Sequence, residues 1–213
     1  MVSKKGLLRK SRLYIIADKA TCGDVIKLFK KINTAKVKVP FVLQLRDKRI
    51  GSAGEILRDA RRLKALSGKN SVFIINDYPD IAVLAGADGV HLGQKDLPVK
   101  IARKLLGKDK IIGVSCHSLA QAIQAQKQGA DYVGIGPIFP TPTKPEDKSI
   151  GTSLLKKLNN KLRIPFFAIG GVDESNLDKI CATGAKRVAV CRAICKDRNI
   201  PAAFIRILNK LGQ

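Results

Sequence analysis

The chain has 213 residues, 45% of them hydrophobic, and sets 40 Lys+Arg against 17 Asp+Glu for a formal charge of +23. That length fits one large domain or two small ones, no apolar run is long enough to span a bilayer, and the basic start MVSKKGLLRKSR lacks the apolar stretch and cleavage site of a secretory signal. Cys22, Cys116, Cys181, Cys191 and Cys195 are odd in number and include no C-x-x-C pair, which speaks against a disulfide framework or a zinc site and for reduced thiols in a cytoplasmic protein.

After a basic N-terminal extension, residues 1–11, apolar runs alternate with segments of helical period. LYIIAD (13–18) is the first strand, and GDVIKLFKKI follows with Val25, Ile26, Leu28, Phe29 and Ile32 at helical spacing. PFVLQLR (40–46) precedes the helix AGEILRDARRLKAL, and SVFIIN (71–76) precedes the short helix YPDIAVLAG. DGVHLG leads to PVKIARKLLG, which has proline at its start and glycine at its end, as helices prefer. KIIGVSC is followed by SLAQAIQAQKQG, with Ser118 as N-cap. DYVGIG runs into a long proline-rich loop, GPIFPTPTKPEDKSIG (136–151), and then the helix SLLKKLNNKL. IPFFAIGG and SNLDKICATG, then RVAVCRAI and IPAAFIRILNKLG, complete the series.

Strands without a polar face, alternating with helices, predict a parallel sheet covered on both sides. Eight units over residues 1–213 predict a single α/β domain, a (β/α)₈ TIM barrel. The alternative is an open doubly wound sheet, but no G-x-G-x-x-G follows the first strand.

Barrel chemistry gathers where strands end. Those ends supply Gln44, Arg46 and Lys48; Asn76 and Asp77; His91, Gln94 and Asp96; Ser115 and His117; Thr141, Thr143 and Lys144; Gly170 and Gly171; and Cys191 and Arg192. Taken singly, each is more often a solvated cap or a satisfied buried amide. Taken jointly, Asp77 and Asp96 among so many cations suggest Mg²⁺, which is usually held by one or two carboxylates and substrate phosphates. The glycine pair, with the backbone after the last strand, suggests a phosphate site.

The segments QLRDK, IINDYPDIAVLAGADGVHLGQKDLP, IGVSCHS, GADYVGIGPIFPTPTK and AIGGV, in this order, resemble the thiamine-phosphate synthase family. The resemblance implies a transferase of thiamine biosynthesis. Its reaction joins 4-amino-2-methyl-5-(diphosphooxymethyl)pyrimidine to a thiazole phosphate and releases pyrophosphate. It implies that Gln44, Leu45, Arg46, Asp47, Lys48 and Asn76, helped by Ser115 and Lys144, bind the pyrimidine diphosphate. Asp77 and Asp96 would hold Mg²⁺. Thr141, Pro142 and Thr143, with Gly171 and the backbone at Cys191 and Arg192, would bind the thiazole phosphate. Arg46, Lys48, Ser115 and Lys144 would be the catalytic set. Arg192 is a departure, since the family commonly has Ser there.

Two rivals stand beside this reading. A thiazole tautomerase of the same superfamily needs no pyrophosphate–metal site, so Asp77, Asp96, Arg46 and Lys144 argue against it. A nucleic-acid-binding protein would gather its lysines on one face and carry stacking aromatics. Here the lysines are dispersed and aromatics make up 5% of the chain. The expected partners are therefore small phosphorylated substrates, with no specific nucleic acid and no membrane.

Overall fold

Each of the eight apolar runs becomes a parallel strand, and the strands close in sequence order into a barrel. The computed structural model describes residues 2–48, 53–143 and 147–212. The strands are β1 (Leu13–Asp18), β2 (Phe41–Arg46), β3 (Ser71–Asn76), β4 (Gly89–Leu92), β5 (Ile111–Cys116), β6 (Tyr132–Ile135), β7 (Phe166–Ile169) and β8 (Val188–Val190). Closure comes from β8 pairing with β1 through Tyr14↔Ala189 and Ile15↔Val190. The open-sheet alternative is therefore excluded.

Between the strands run α2 (Lys19–Cys22), α3 (Val25–Thr34), α4 (Ala53–Leu66), α5 (Pro79–Leu84), α6 (Val99–Leu106), α7 (Leu119–Lys127), α8 (Ser153–Lys161) and α9 (Leu177–Cys181). After β8 come α10 (Arg192–Cys195) and α11 (Ile200–Lys210). Ser118 caps α7 as expected, accepting from the Gln121 N–H at 3.2 Å. Val25, Leu28, Phe29 and Ile32 form the buried stripe of α3 against the barrel.

Side chains alternate along a strand, so each strand feeds two cores. Outward residues such as Leu43, Leu45, Phe73 and Ile75 pack with the helices in the larger cluster. Inward residues Tyr14, Val42, Val72, Ile74, Ile111, Tyr132, Phe167 and Ala189 fill the lumen. Gly113 makes room for this filling: a Cβ there would lie inside the Tyr132 ring.

Two segments differ from the sequence expectation. The basic extension contains a helix, α1 (Lys4–Lys10), whose Leu8 is fully buried among the lumen residues. Its charge hides a single apolar contact face. Lys4 Nζ donates to Ser71 O at 2.6 Å and Arg187 donates to Arg9 O at 2.8 Å, so α1 closes the end of the barrel where strands begin. The run RVAVCRAI reads as one strand in the sequence, but only Val188–Val190 forms β8. The chain turns at Cys191 (φ −121°, ψ −79°) into α10, and local apolarity could not distinguish that turn from continued strand.

Candidate active site

The strand-end rule places a pocket of about 470 Å³ over the C-terminal mouth of the barrel. Its floor is set by alternation. The parity that points Tyr14 and Ile16 into the lumen also points Gln44, Asn76, His91 and Ser115 inward, in register across Ile16↔Gln44, Asn76↔His91 and Ser115↔Gly134.

These groups form one hydrogen-bonded chain whose direction can be worked out. The Tyr14 hydroxyl donates to Gln44 Oε1 at 2.7 Å, and Gln44 Nε2 donates to Asn76 Oδ1 at 2.5 Å. With its proton committed, the Tyr14 oxygen accepts from the Tyr132 hydroxyl at 2.8 Å. Tyr132 in turn accepts from His91 Nδ1–H at 3.0 Å. In the neutral ring, Nε2 then accepts the Ser115 hydroxyl proton at 2.9 Å. At one end of the chain the Asn76 amide nitrogen is buried with no partner. At the other, the Ser115 oxygen keeps lone pairs to offer. Burial raises the pKa of both Tyr14 and Tyr132, so the chain holds neutral phenols.

The rim is ionic. Arg46 is paired with Asp18, whose other oxygen caps α2 through the Thr21 N–H at 2.8 Å. Lys48 is paired with Asp77. Asp77 sits at φ +65°, a left-handed conformation that Asp tolerates better than most residues. Its N–H is tied to His91 O at 2.8 Å. The Asp77 carboxyl is raised above the usual range by burial and by hydrogen bonding with Asp96, with Lys48 opposing. Asp96 Oδ2 is fixed by the Gly93 N–H at 2.6 Å. Two converging carboxylates that a single ammonium only partly compensates are hard oxygen donors suited to a divalent cation, so these residues fit Mg²⁺.

The remaining wall comes from the loop after β6. Ile138 N donates to Ile169 O at 2.8 Å, Phe139 N to Gly170 O at 3.0 Å, and Ile150 N to Pro137 O at 2.8 Å. Gly171, at φ +62°, lies so close beneath the loop that a Cβ would meet Pro140 O and Phe139. The glycine pair, read as a phosphate site, thus also seats the proline loop. Thr141, Pro142, Thr143, Gly171, Cys191 and Arg192 all line the pocket.

Of the other expected residues, Gln44, Arg46, Lys48, Asn76, Asp77, Asp96 and Ser115 also line the pocket, with His91, His117 and Gly170 beside them. Leu45 and Asp47 do not. Leu45 has the opposite parity and belongs to the helix-facing core, and Asp47 is 3% exposed just beyond the strand. Alternation along β2 thus puts Gln44 and Arg46, but not the Leu45 side chain between them, on the pocket side. Gln94 also falls outside and braces β5 by donating to Ser115 O at 2.6 Å. Lys144 lies outside the described residues. Sequence reasoning missed Tyr14 and Tyr132, which looked like core aromatics. Their signal was the same inward parity as Gln44.

The cysteines hold a further surprise. Sγ atoms of Cys22, Cys191 and Cys195 lie within 4.8 Å of one another at the closure of the barrel. Hydrogen bonds within the group push the Cys22 and Cys191 thiols up, Cys191 to about 12, and lower Cys195 to about 4.

The family model described as thiamine monophosphate synthase matches residues 13–194. A thiamine-phosphate synthase of Synechococcus sp. (strain WH7803) is 42% identical over 209 residues, covering 98% of this chain and 59% of that protein. One from Shouchella clausii is 44% identical over 169 residues, covering 78% and 80%. Among solved structures, a thiamine phosphate pyrophosphorylase from Pyrococcus furiosus superposes with a TM-score of 0.85 at 29% identity, covering 97% and 98%. The chain spans about three fifths of the Synechococcus relative's length.

Proposed function

The chain belongs to the thiamine monophosphate synthase family, and from that premise we propose that it condenses 4-amino-2-methyl-5-(diphosphooxymethyl)pyrimidine with a thiazole phosphate to yield thiamine monophosphate and pyrophosphate. One observation carries this reading: the pocket divides into a neutral hydrogen-bonding floor and an ionic rim. An aminopyrimidine offers ring nitrogens that accept and an exocyclic amine that donates. The Asn76 NH₂, with both protons uncommitted, suits the ring nitrogen. The Ser115 oxygen, its own proton given to His91, suits the amine.

The diphosphate belongs at the rim. Asp77 and Asp96 would hold Mg²⁺, which supplies charge neutralisation to the departing pyrophosphate. Lys48 and Arg46 stand beside them as cations held in position by their carboxylate partners. Substrate phosphates compete for the exposed ammonium of Lys48, while Arg46 keeps Asp18. Lys144 is assigned to the same leaving group from the motif TPTK. Thr141, Pro142, Thr143 and Gly171, with the Cys191–Arg192 backbone, form the wall proposed for the thiazole phosphate.

The carbon–oxygen bond to pyrophosphate breaks and the thiazole nitrogen takes the same carbon. The aminopyrimidine donates electrons toward that carbon, so the protein supplies orientation and electrostatics without a covalent intermediate. The test is incubation with both substrates and Mg²⁺, with product identified by mass spectrometry. Thiamine monophosphate formed in step with pyrophosphate supports the proposal. No product with saturating substrates overturns it.

A further inference from the structure

We propose that Cys22, Cys191 and Cys195 form a three-thiolate site for one thiophilic metal ion of the Zn²⁺ or Cu(I) class. The site is built by the closure of the barrel. β1 pairs with β8, which brings α2, at the end of β1, against α10, at the end of β8. Cys22 is the last residue of α2. Cys191 precedes α10 and Cys195 ends it, one turn apart, with Cys195 N donating to Cys191 O at 3.0 Å. Residues one turn apart share a helix face. Three thiols thus converge although Cys22 and Cys191 are 169 positions apart.

The spacing is that of a metal clasp. Two sulfurs bound at about 2.3 Å to one tetrahedral ion lie about 3.8 Å apart. Cys22 and Cys191 Sγ are 4.0 Å apart, and all three sulfurs fall within 4.8 Å. Among the described residues, this is the one group of three or more His, Cys, Asp or Glu with such spacing. Three thiolates and a monovalent or divalent ion leave net negative charge, and Arg192 and Lys196 lie near enough to Cys195 to offset it electrostatically. Soft sulfur selects thiophilic ions, whereas the oxygen pair Asp77–Asp96 selects hard ones, so the two sites do not compete for the same metal. The inference does not depend on the proposed reaction.

The experiment uses the full chain, reduced and kept anaerobic. Zn²⁺ and Cu(I) are titrated separately against competing chelators, and Co²⁺ serves as a spectroscopic probe. One equivalent should bind, with Co²⁺ developing thiolate charge-transfer absorption. Bound metal should protect Cys22, Cys191 and Cys195 from N-ethylmaleimide while leaving Cys181 labelling unchanged. Cys22→Ser and Cys195→Ser should each weaken binding by at least about 100-fold, the upper end of losses seen for residues that merely support a ligand. Cys181→Ser should have no effect. Uptake undiminished in both cluster variants overturns the site. So does a reduced wild-type chain that takes up none of these ions. Labelling of the wild type keeps the test decisive if a variant fails to fold.

Discussion

Tyr132→Phe removes one oxygen from the middle of the buried chain and isolates its two halves. His91 Nδ1–H loses an acceptor at 3.0 Å, and the Tyr14 oxygen loses a donor at 2.8 Å. The ring itself stays, so packing against Tyr14 and Phe167 is retained. A buried donor stripped of its partner costs about 1–3 kcal/mol. For a chain of this size, a loss of about 2 kcal/mol lowers Tm by roughly 4–8 °C. Thermal melting by circular dichroism reads that shift. Nitrogen-15 NMR reads its cause: His91 should carry its proton on Nδ1 in the parent and populate both tautomers in the variant. Paired with Tyr14→Phe, the double-mutant cycle should give a coupling of about 0.5–3 kcal/mol. An unchanged Tm, additive single effects and an unaltered His91 spectrum would together refute the directional chain.

Leu8→Ala should lower stability by about 2–5 kcal/mol through the cavity left under the lumen, and urea denaturation with an unchanged midpoint would show that α1 is no plug. Burial raises the Cys116 thiol to about 12, three units above an unperturbed 9.0, so iodoacetamide at pH 8 should alkylate it about 10³-fold more slowly than a free thiol; a comparable rate would contradict that burial. Lys144→Ala should cut kcat roughly 10²- to 10³-fold with little change in KM, as for loss of one preorganised charge donor. Lys148→Ala is its control, and equal small effects at both would make the loop's charge generic. Arg192→Ser should raise KM for the thiazole phosphate alone; unchanged KM values would leave only the Arg192 backbone in play.

Strand order was legible because an uninterrupted apolar run followed by a helical period has few parallel-sheet solutions. The pocket residues at strand ends were legible for the same reason, since Gln44, Asn76 and Ser115 are polar interruptions at the ends of apolar runs. The positions of Leu45 and Asp47 outside the pocket lining were not legible, because a contiguous motif says nothing about which side of a strand each residue faces. Tyr14 and Tyr132 were hidden by their rings, which satisfy any apolar pattern while their hydroxyls do the bonding. The thiol cluster was invisible because spacing rules read neighbours along the chain, and these cysteines meet only where the last strand returns to the first.

Depth in the barrel sorts the site's chemistry by what burial tolerates. Gln44, Asn76 and His91 are each no more than 6% exposed, and all are polar groups that can be neutral and tied into hydrogen bonds. A lone charge at that level would forfeit several kcal/mol of hydration. One step further out, Arg46 and Asp77 are partly accessible and arrive already paired with Asp18 and Lys48. The same alternation that places Val42 and Ile74 in the lumen therefore delivers, two residues later on each strand, Gln44 and Asn76 at the floor. Charges appear where the strands run out, at Asp18, Arg46, Lys48, Asp77 and Asp96, and the most buried of them, Asp18, is paired with Arg46. A ligand with an uncharged ring and an anionic tail matches this gradient in one orientation, ring down and tail at the rim. The reverse orientation would bury phosphate over neutral amides and expose the ring to water.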